Sequence, residues 1–167
     1  MRIDQGIGRS ALALALATAT LASVVGIGAA LARADNKRLN SGVFGNIYTA
    51  QKQNGCLVDP RWDGRLIDAA HRHTLDVLSN GNLNGDIGSD GSTPQQRAAE
   101  AGFTGAVAET VAINQSMAIN NLDVLTQWWN DPASRATMQD CRYTALGVWS
   151  ENSLTRSVVV ATDGQPQ

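Results

Sequence analysis

Apolar side chains recur at helical spacing in two segments after residue 36. Between residues 37 and 54 they form two pairs four positions apart, Val43 with Ile47 and Phe44 with Tyr48. Over residues 65–80, five side chains share one helical face: Leu66, Ala70, His73, Val77 and Leu78. An Asn-Gly pair ends each segment, and glycine is a common stop after a helix. The pattern therefore predicts two amphipathic helices.

A loop and a third, short helix are predicted next. Residues 81–92 are rich in Gly, Asn, Asp and Ser, which favour turns over regular structure. Directly after them, Thr93 is placed to cap a helix, Pro94 suits its first position, and Gln96 can complete a capping box.

The second half of the chain mixes strand and helix patterns. Small and β-branched residues alternate over residues 106–113, which predicts a strand. Helical spacing returns over residues 120–130, and Asp131-Pro132 begins another short helix. Residues 143–149 and 154–162 predict two strands joined as a hairpin. This order of elements predicts an α+β fold, a three-layer αβα sandwich with a small, mostly antiparallel sheet between helices.

The first 34 residues have the composition of a secretory signal peptide. Arg2 and Arg9 give a positive start, and no charged residue lies between Ser10 and Ala32. The stretch from Ala30 to Ala34 then offers two small-x-small cleavage sites. We therefore expect residues 1–34 to be removed and residues 35–167 to form one domain that is secreted or held in the cell envelope. The alternative is an uncleaved membrane anchor, because the apolar run is long enough to span a bilayer.

Charge narrows the classes of partner. The chain has 13 basic and 15 acidic residues, and loss of the signal segment removes three arginines and one aspartate, which leaves a net charge of −4. A negative domain without a basic cluster is a poor ligand for nucleic acid or for an anionic membrane surface. We therefore expect neither partner.

Two cysteines remain after the signal segment, Cys56 and Cys141. Export would place them where disulfides persist, so we expect a bridge, with two buried free thiols as the alternative. A bridge would close most of the domain into one loop, which in the chain-entropy model stabilises it by about 4–5 kcal/mol. Neither cysteine belongs to a C-x-x-C pair, which argues against redox catalysis.

Four segments, in order, resemble a known family. They are Leu66-x-x-Ala69-Ala70-x-x-His73-x-x-Asp76, Gly88-Ser89-Asp90-Gly91-Ser92-Thr93-Pro94-x-x-Arg97, Ala108-Glu109-Thr110-Val111-Ala112, and Trp129-Asn130-Asp131-Pro132-Ala133-Ser134-Arg135. Together they resemble the CAP superfamily of cysteine-rich secretory proteins, antigen 5 and pathogenesis-related 1, whose domains are also called SCP-like. The likeness is to the short bacterial secreted branch and covers about residues 39–162.

The resemblance implies a cleft in which a divalent metal is commonly held by two histidines and two acids. In this chain Asp86 and Ser134 stand at the histidine positions, and Glu109 is the one acid clearly kept. Zinc favours nitrogen and sulfur ligands, so we expect no zinc and no other cofactor. Asp86 and Glu109 could still hold a hard cation through oxygen. The resemblance thus implies a ligand cleft at Asp86, Glu109, Ser134 and Arg135.

Each singled-out residue has a plain structural alternative. On a strand, Glu109 shares a face with apolar residues, where a carboxylate needs a partner. It is therefore either a cleft acid or a structural anchor that pairs with Arg97 or Arg135 or accepts backbone N–H bonds. Ser134 lacks an adjacent base and fits a helix start. His73 is expected to be a hydrogen-bonded core residue. The Trp128-Trp129 pair is either core or the wall of a groove.

Two functions of different class follow. The favoured one is a non-catalytic domain that binds a small apolar ligand, such as a lipid, or an envelope or host protein outside the cytoplasm. The alternative is a hydrolase, either divalent-cation-dependent or carboxylate-based, that uses Asp86 and Glu109. The missing histidines count against the enzyme.

Overall fold

The structure, a computed structural model, describes residues 21–167, with side chains from residue 36 onward. The helices of this part of the chain are α1 (Leu21–Gln53), α2 (Gly64–Ser79), α3 (Pro94–Glu100), α4 (Asn121–Asn130) and α5 (Pro132–Gln139). The strands are β1 (Arg61–Trp62), β2 (Gly105–Asn114), β3 (Ala145–Asn152) and β4 (Ser157–Pro166). The predicted α+β class is confirmed.

The predicted signal segment is only partly covered. Its residues 1–20 lie outside the described residues, and its cleavage stays a prediction. By internal contacts the chain divides between Ala34 and Asp35, and residues 35–167 form one compact unit. In the part of the chain that the structure describes, no helix is long and apolar enough to cross a bilayer.

The sheet has the strand order β1-β3-β4-β2. Only the two-residue β1 pairs in parallel, with β3, while β3–β4 and β4–β2 are antiparallel, so the mostly antiparallel sheet is confirmed. The β3–β4 hairpin is confirmed as well, closed by a hydrogen bond from Ser153 N to Arg156 O of 2.7 Å. Strand β4 continues past the expected end at Thr162 to Pro166, because β2 pairs with it as far as Gly105. Strand β1 was not predicted, since two residues are too few to show an alternation.

Helices cover both faces of the sheet, as the three-layer prediction requires. One apolar cluster joins α1, α4 and α5 to the first face, with Ile47, Trp128 and Met138 among its buried members. Two further clusters join α2 and α3 to the second face through Leu66 and Val160, among others. Residues of β2 and β4 alternate between these two cores, which is the period that a two-sided sheet imposes.

The predicted start of α3 and the predicted disulfide are both present in the structure. Thr93 accepts a hydrogen bond from Gln96 N, and the Gln96 side chain accepts one from Thr93 N, so the predicted capping box is present. Cys56 and Cys141 form a disulfide with a Cα–Cα distance of 5.1 Å. The bridge ties the segment after α1 to the segment after α5.

Candidate functional site

A buried arginine organises the centre of the candidate site. Arg97 Nη2 on α3 donates to Glu109 Oε1 on β2 at 2.6 Å and to the backbone carbonyl of Asp86 at 2.6 Å. Its Nη1 donates to the carbonyl of Ser92 at 2.7 Å. The Arg97 and Glu109 side chains are 1% and 0% exposed. Arg97 therefore ties the glycine-rich loop to the sheet through one internal ion pair.

The second oxygen of Glu109 is also occupied. Thr162 Oγ1, on the neighbouring strand β4, donates to Glu109 Oε2 at 2.8 Å. His73 Nε2 lies 3.6 Å from Oε1 and 2.9 Å from the carbonyl of Gly85. Burial lowers the pKa of His73, so its ring is neutral and donates to Gly85 rather than forming an ion pair. The predicted role of His73 as a hydrogen-bonded core residue is confirmed.

Burial sets the protonation of Glu109. It raises the pKa of this carboxyl to about 7, against the charge of Arg97 and the hydrogen bonds from Thr162 and Arg97, which favour the ionised form. Each oxygen accepts one hydrogen bond within the fold, and the side chain is 0% exposed, so the carboxyl is closed off from solvent. This geometry is that of a structural anchor paired with Arg97, one of the two roles expected for Glu109 from the sequence. Arg135 is not its partner.

Beside this centre lies a cleft of about 770 Å³ along the outer edge of β2, here called the β2 cleft. Its walls are the loop before α3, the first turn of α3, β2, the end of α4, and α5. Its volume lies within the ordinary range for ligand sites. Asp86, Glu109 and Ser134 all line it. The structure thus brings three of the four sequence-predicted cleft residues to one place.

The fourth residue, Arg135, does not line the cleft. It is exposed on α5, and its side chain makes no hydrogen bond or ion pair with the described residues. The backbone N–H of Ser134 donates to Asp131 Oδ2 at 2.8 Å, which is a helix cap. No histidine lines the cleft, and His73 instead lines a separate, smaller cavity with Asp76 and Ser89. Ser134 contacts the carboxylate of Asp131, and none of the described histidines lies beside it in the cleft to act as its base.

The two tryptophans separate. Trp128 is 2% exposed and belongs to the core, although its edge reaches the β2 cleft. Trp129 is 36% exposed and lines a second cavity of about 380 Å³ between α1 and α4, together with Ala50 and Leu125. Trp128 is thus a core residue and Trp129 forms the wall of a groove, which were the two roles expected for the pair.

The donor set of the β2 cleft does not fit zinc. The ionisable residues that line the cleft are Asp86, Glu109 and Asp131, of which the Glu109 side chain is 0% exposed; none of them is a histidine or a cysteine. Glu109 is engaged by Arg97 and Thr162, and Asp131 caps α5. Among the described side chains, no three His, Cys, Asp or Glu come together as ligands. The loss of metal-binding histidines from this cleft stays a prediction.

Sequence reasoning missed one buried acid of this region, Asp163. It is 0% exposed, and neither carboxylate oxygen has a hydrogen-bond partner within the described residues. The strand was expected to end one residue earlier, so Asp163 counted as a loop residue. The register of β2 with β4, which pairs Ala108 with Asp163, is what places it inside.

Comparisons with known proteins agree with the fold. Residues 53–161 match the model of the cysteine-rich secretory protein family, CAP. The chain is similar to an outer surface protein from Borrelia burgdorferi, with a TM-score of 0.63 and 17% identity over 74% of this chain and 90% of that one. No curated protein sequence matches the chain.

Two longer bacterial proteins share the same fold. One is an extracellular protein containing an SCP domain from Bacillus anthracis, with a TM-score of 0.64 and 18% identity over 78% of this chain and 41% of that one. The other is a cysteine-rich secretory protein from Staphylococcus aureus, with a TM-score of 0.61 and 12% identity over 78% of this chain and 39% of that one. This chain therefore spans about two fifths of either protein, and at such identities the likeness shows the fold alone.

Proposed function

Because the chain belongs to the cysteine-rich secretory protein (CAP) family, we propose that it is a non-catalytic binding domain that works outside the cytoplasm. Residues 1–34 direct its export, and its ligand occupies the β2 cleft. The similar structures include one described as an outer surface protein and one described as an extracellular protein, which supports the location.

The engagement of Glu109 carries the non-catalytic part of the proposal. A general base needs a lone pair that reaches the substrate, and a general acid needs a proton that does so. Glu109 Oε1 accepts from Arg97 and Oε2 accepts from Thr162, while the side chain is wholly buried. Glu109 is therefore an internal anchor that holds α3 against the sheet.

The hydrolase alternative is less well supported. A carboxylate pair would need Asp86 and Glu109 to share a substrate, yet Arg97 binds the Asp86 backbone and the Glu109 carboxylate from inside the fold. A cation-dependent form would need ligands beyond these two acids, and the histidine positions hold Asp86 and Ser134.

The walls of the β2 cleft favour a protein segment over a small apolar ligand. Polar groups such as Asp86, Gln95, Gln127 and Ser134 alternate there with small apolar residues. A small apolar molecule would fit the α1–α4 cavity better, because Leu125 and Trp129 form part of its wall. That cavity is half the size, and it also contains Asn46, Thr49 and Gln53.

The proposal is tested on protein purified from the extracytoplasmic fraction of cells that express the full chain. We expect mass spectrometry to show a new N-terminus after Ala32 or Ala34. We expect no turnover of fluorogenic peptide, ester or glycoside substrates. Above about pH 8, where Glu109 is ionised, Glu109→Gln should lower the free energy of unfolding by about 3–5 kcal/mol, because it leaves Arg97 buried without its anion.

Asp68→Asn, at an exposed carboxylate of α2 that does not line the cleft, is the control, and it should leave both stability and the absence of turnover unchanged. Turnover by the original protein that Glu109→Gln abolishes, at a temperature where this variant is still folded, would show instead that the cleft is an active site.

A further inference from the structure

Strand β2 is an edge of the sheet. In the order β1-β3-β4-β2 it pairs, among the strands of the described residues, with β4 alone, in an unbroken one-to-one register from Gly105 to Asn114. In an antiparallel ladder the N–H and C=O of one residue point to the same side, and successive residues alternate. Every second residue of β2 therefore turns both backbone groups away from the sheet.

Two glutamine side chains identify the residues of β2 whose backbone groups point away from the sheet. Gln95 Nε2 donates to the carbonyl of Gly105 at 2.9 Å, and its Oε1 accepts from Val107 N at 3.3 Å. At the other end, Gln127 Nε2 donates to the carbonyl of Ile113 and its Oε1 accepts from Ile113 N, both at 3.2 Å. Each amide occupies the place of a peptide group on a neighbouring strand. The odd-numbered residues of β2 thus face outward.

The stretch between the two glutamines is open. Five backbone groups there have no hydrogen-bond partner within the described part of the chain. They are the carbonyl of Val107 and both the N–H and the carbonyl of Glu109 and of Val111. The residue Glu109 is half-buried although its side chain is 0% exposed, so its exposed atoms belong to the backbone. These groups open into the β2 cleft.

Unpaired backbone groups along a strand edge are a template for another strand. From Val107 to Val111 the open edge is about 13 Å long at the usual rise per residue, which suits four or five residues of extended chain. An apolar ligand would leave these donors and acceptors unsatisfied, whereas an extended polypeptide satisfies them in register.

The charge of the β2 cleft indicates which side chains that polypeptide carries. Asp86 and Asp131 line the cleft and are exposed, while none of the described lysines and arginines lines it. Hydrogen bonds from Ser134 lower the pKa of Asp131, so its carboxylate stays ionised at neutral pH. An incoming segment with basic side chains would meet two carboxylates and no opposing cation.

We propose that the β2 cleft binds an extended, lysine- or arginine-containing segment of a partner protein, which adds to β2 as a new strand between Gln95 and Gln127. This inference rests on the proposed function, because it assumes a cleft that binds and does not cleave. The segment forms backbone hydrogen bonds with Val107, Glu109 and Val111. Its side chains alternate between the α3 wall and the α5 wall.

The probe is a fluorescent, end-blocked pentapeptide of alternating valine and lysine, titrated by anisotropy into the purified exported protein. Saturable binding that weakens with added salt is expected, because the attraction to Asp86 and Asp131 is screened. A version with alternate backbone nitrogens methylated should not bind, since it lacks the donors. A valine–glutamate version should bind at least about tenfold more weakly.

Two variants test the edge from the protein side. Val111→Pro removes an outward N–H without touching the ladder to β4, and proline is tolerated at such edge positions. It should lower the affinity for the peptide about 3- to 10-fold relative to Val111→Ala, which loses the same side chain but keeps the N–H. Asp86→Asn should weaken the lysine peptide and leave an uncharged valine–threonine peptide unchanged.

The outcomes separate the two proposals. Equal binding of the methylated and unmethylated peptides, or no binding of any peptide, would overturn strand addition, and this holds even if Val111→Pro does not fold. Cleavage of the peptide, seen by mass spectrometry, would overturn the proposed non-catalytic function instead. A concentration-dependent dimer that Val111→Pro dissociates would place a second copy at the edge and would also overturn the inference.

Discussion

Asp163 shows how the fold accommodates a buried carboxyl group that has no hydrogen-bond partner among the described residues. It follows Thr162, whose hydroxyl reaches Glu109, so its own side chain lies on the opposite face of β4. Burial, with smaller contributions from the charges of Glu109 and Asp140, raises its pKa to about 8. The carboxyl is therefore neutral over most of the physiological range, which spares the fold an unpaired internal charge.

At the scale of this residue, we expect stability to depend on pH. The folded state keeps the proton up to about pH 8, whereas the unfolded chain loses it near pH 3.9. Between these values the folded state binds more protons, so stability falls as pH rises. Relative to Asp163→Asn, the original protein should lose up to about 5 kcal/mol between pH 4 and pH 8.

Urea denaturation of both proteins at pH 5 and pH 8 checks this. The exposed Asp68, changed to Asn, is the control, and it should leave the pH dependence of the original protein in place. A difference between the original protein and Asp163→Asn that is the same at both pH values would contradict the account.

At the scale of elements, the contact between α2 and β3 depends on one glycine. A Cβ at Gly147 would lie 2.1 Å from the carbonyl carbon of Leu66 and 2.3 Å from the backbone nitrogen of Ile67. Both atoms belong to the backbone of α2, which has no rotamer with which to move aside. The absence of a side chain at Gly147 therefore sets how closely α2 packs on the sheet, and α2 carries His73 to Glu109.

Gly147→Ala should therefore destabilise the protein by at least about 1–3 kcal/mol, because α2 must shift outward. The control is Gly45→Ala in α1, where a Cβ would meet nothing within 4 Å. That change should stabilise by about 0.5–1 kcal/mol through helix propensity. Thermal melts of the two variants compare them, and equal small effects would mean that α2 has room to move.

At the scale of the whole molecule, the disulfide joins the segment after α1 to the segment before β3. Cys56 and Cys141 are 85 positions apart, so the bridge closes a loop that contains β1, α2, α3, β2, α4 and α5. In the chain-entropy model a loop of this length stabilises the fold by about 4–5 kcal/mol. The β2 cleft lies entirely within the closed loop.

Replacing both cysteines by alanine should accordingly lower the melting temperature by about 10–20 °C. Calorimetry of the variant, beside the original protein with and without reductant, checks this. Reductant should reproduce the loss in the original protein and change nothing in the variant. A variant that melts within about 2–3 °C of the original would show that packing alone holds the two segments together.

Local patterns were enough to predict most elements. Thr93, Pro94 and Gln96 specify a helix start through bonds within four residues, and the alternation over residues 106–113 specifies a strand through its own period. Both depend on neighbours along the chain, which is why they could be recognised without a fold. The pairing of the two cysteines needed no geometry either, since the sequence offers one possible partner for each.

Tertiary structure decided everything that depends on which strands and helices lie side by side. The sequence showed that Glu109 needed a partner and offered Arg97 or Arg135; packing chose Arg97 and left Arg135 in solvent. The burial of Asp163 and the open edge between Gln95 and Gln127 exist only because β2 pairs with β4 on one side and with no described strand on the other. Short-range periodicity determines where a residue points within its element, whereas its partners depend on contacts across the chain, which a single sequence does not contain.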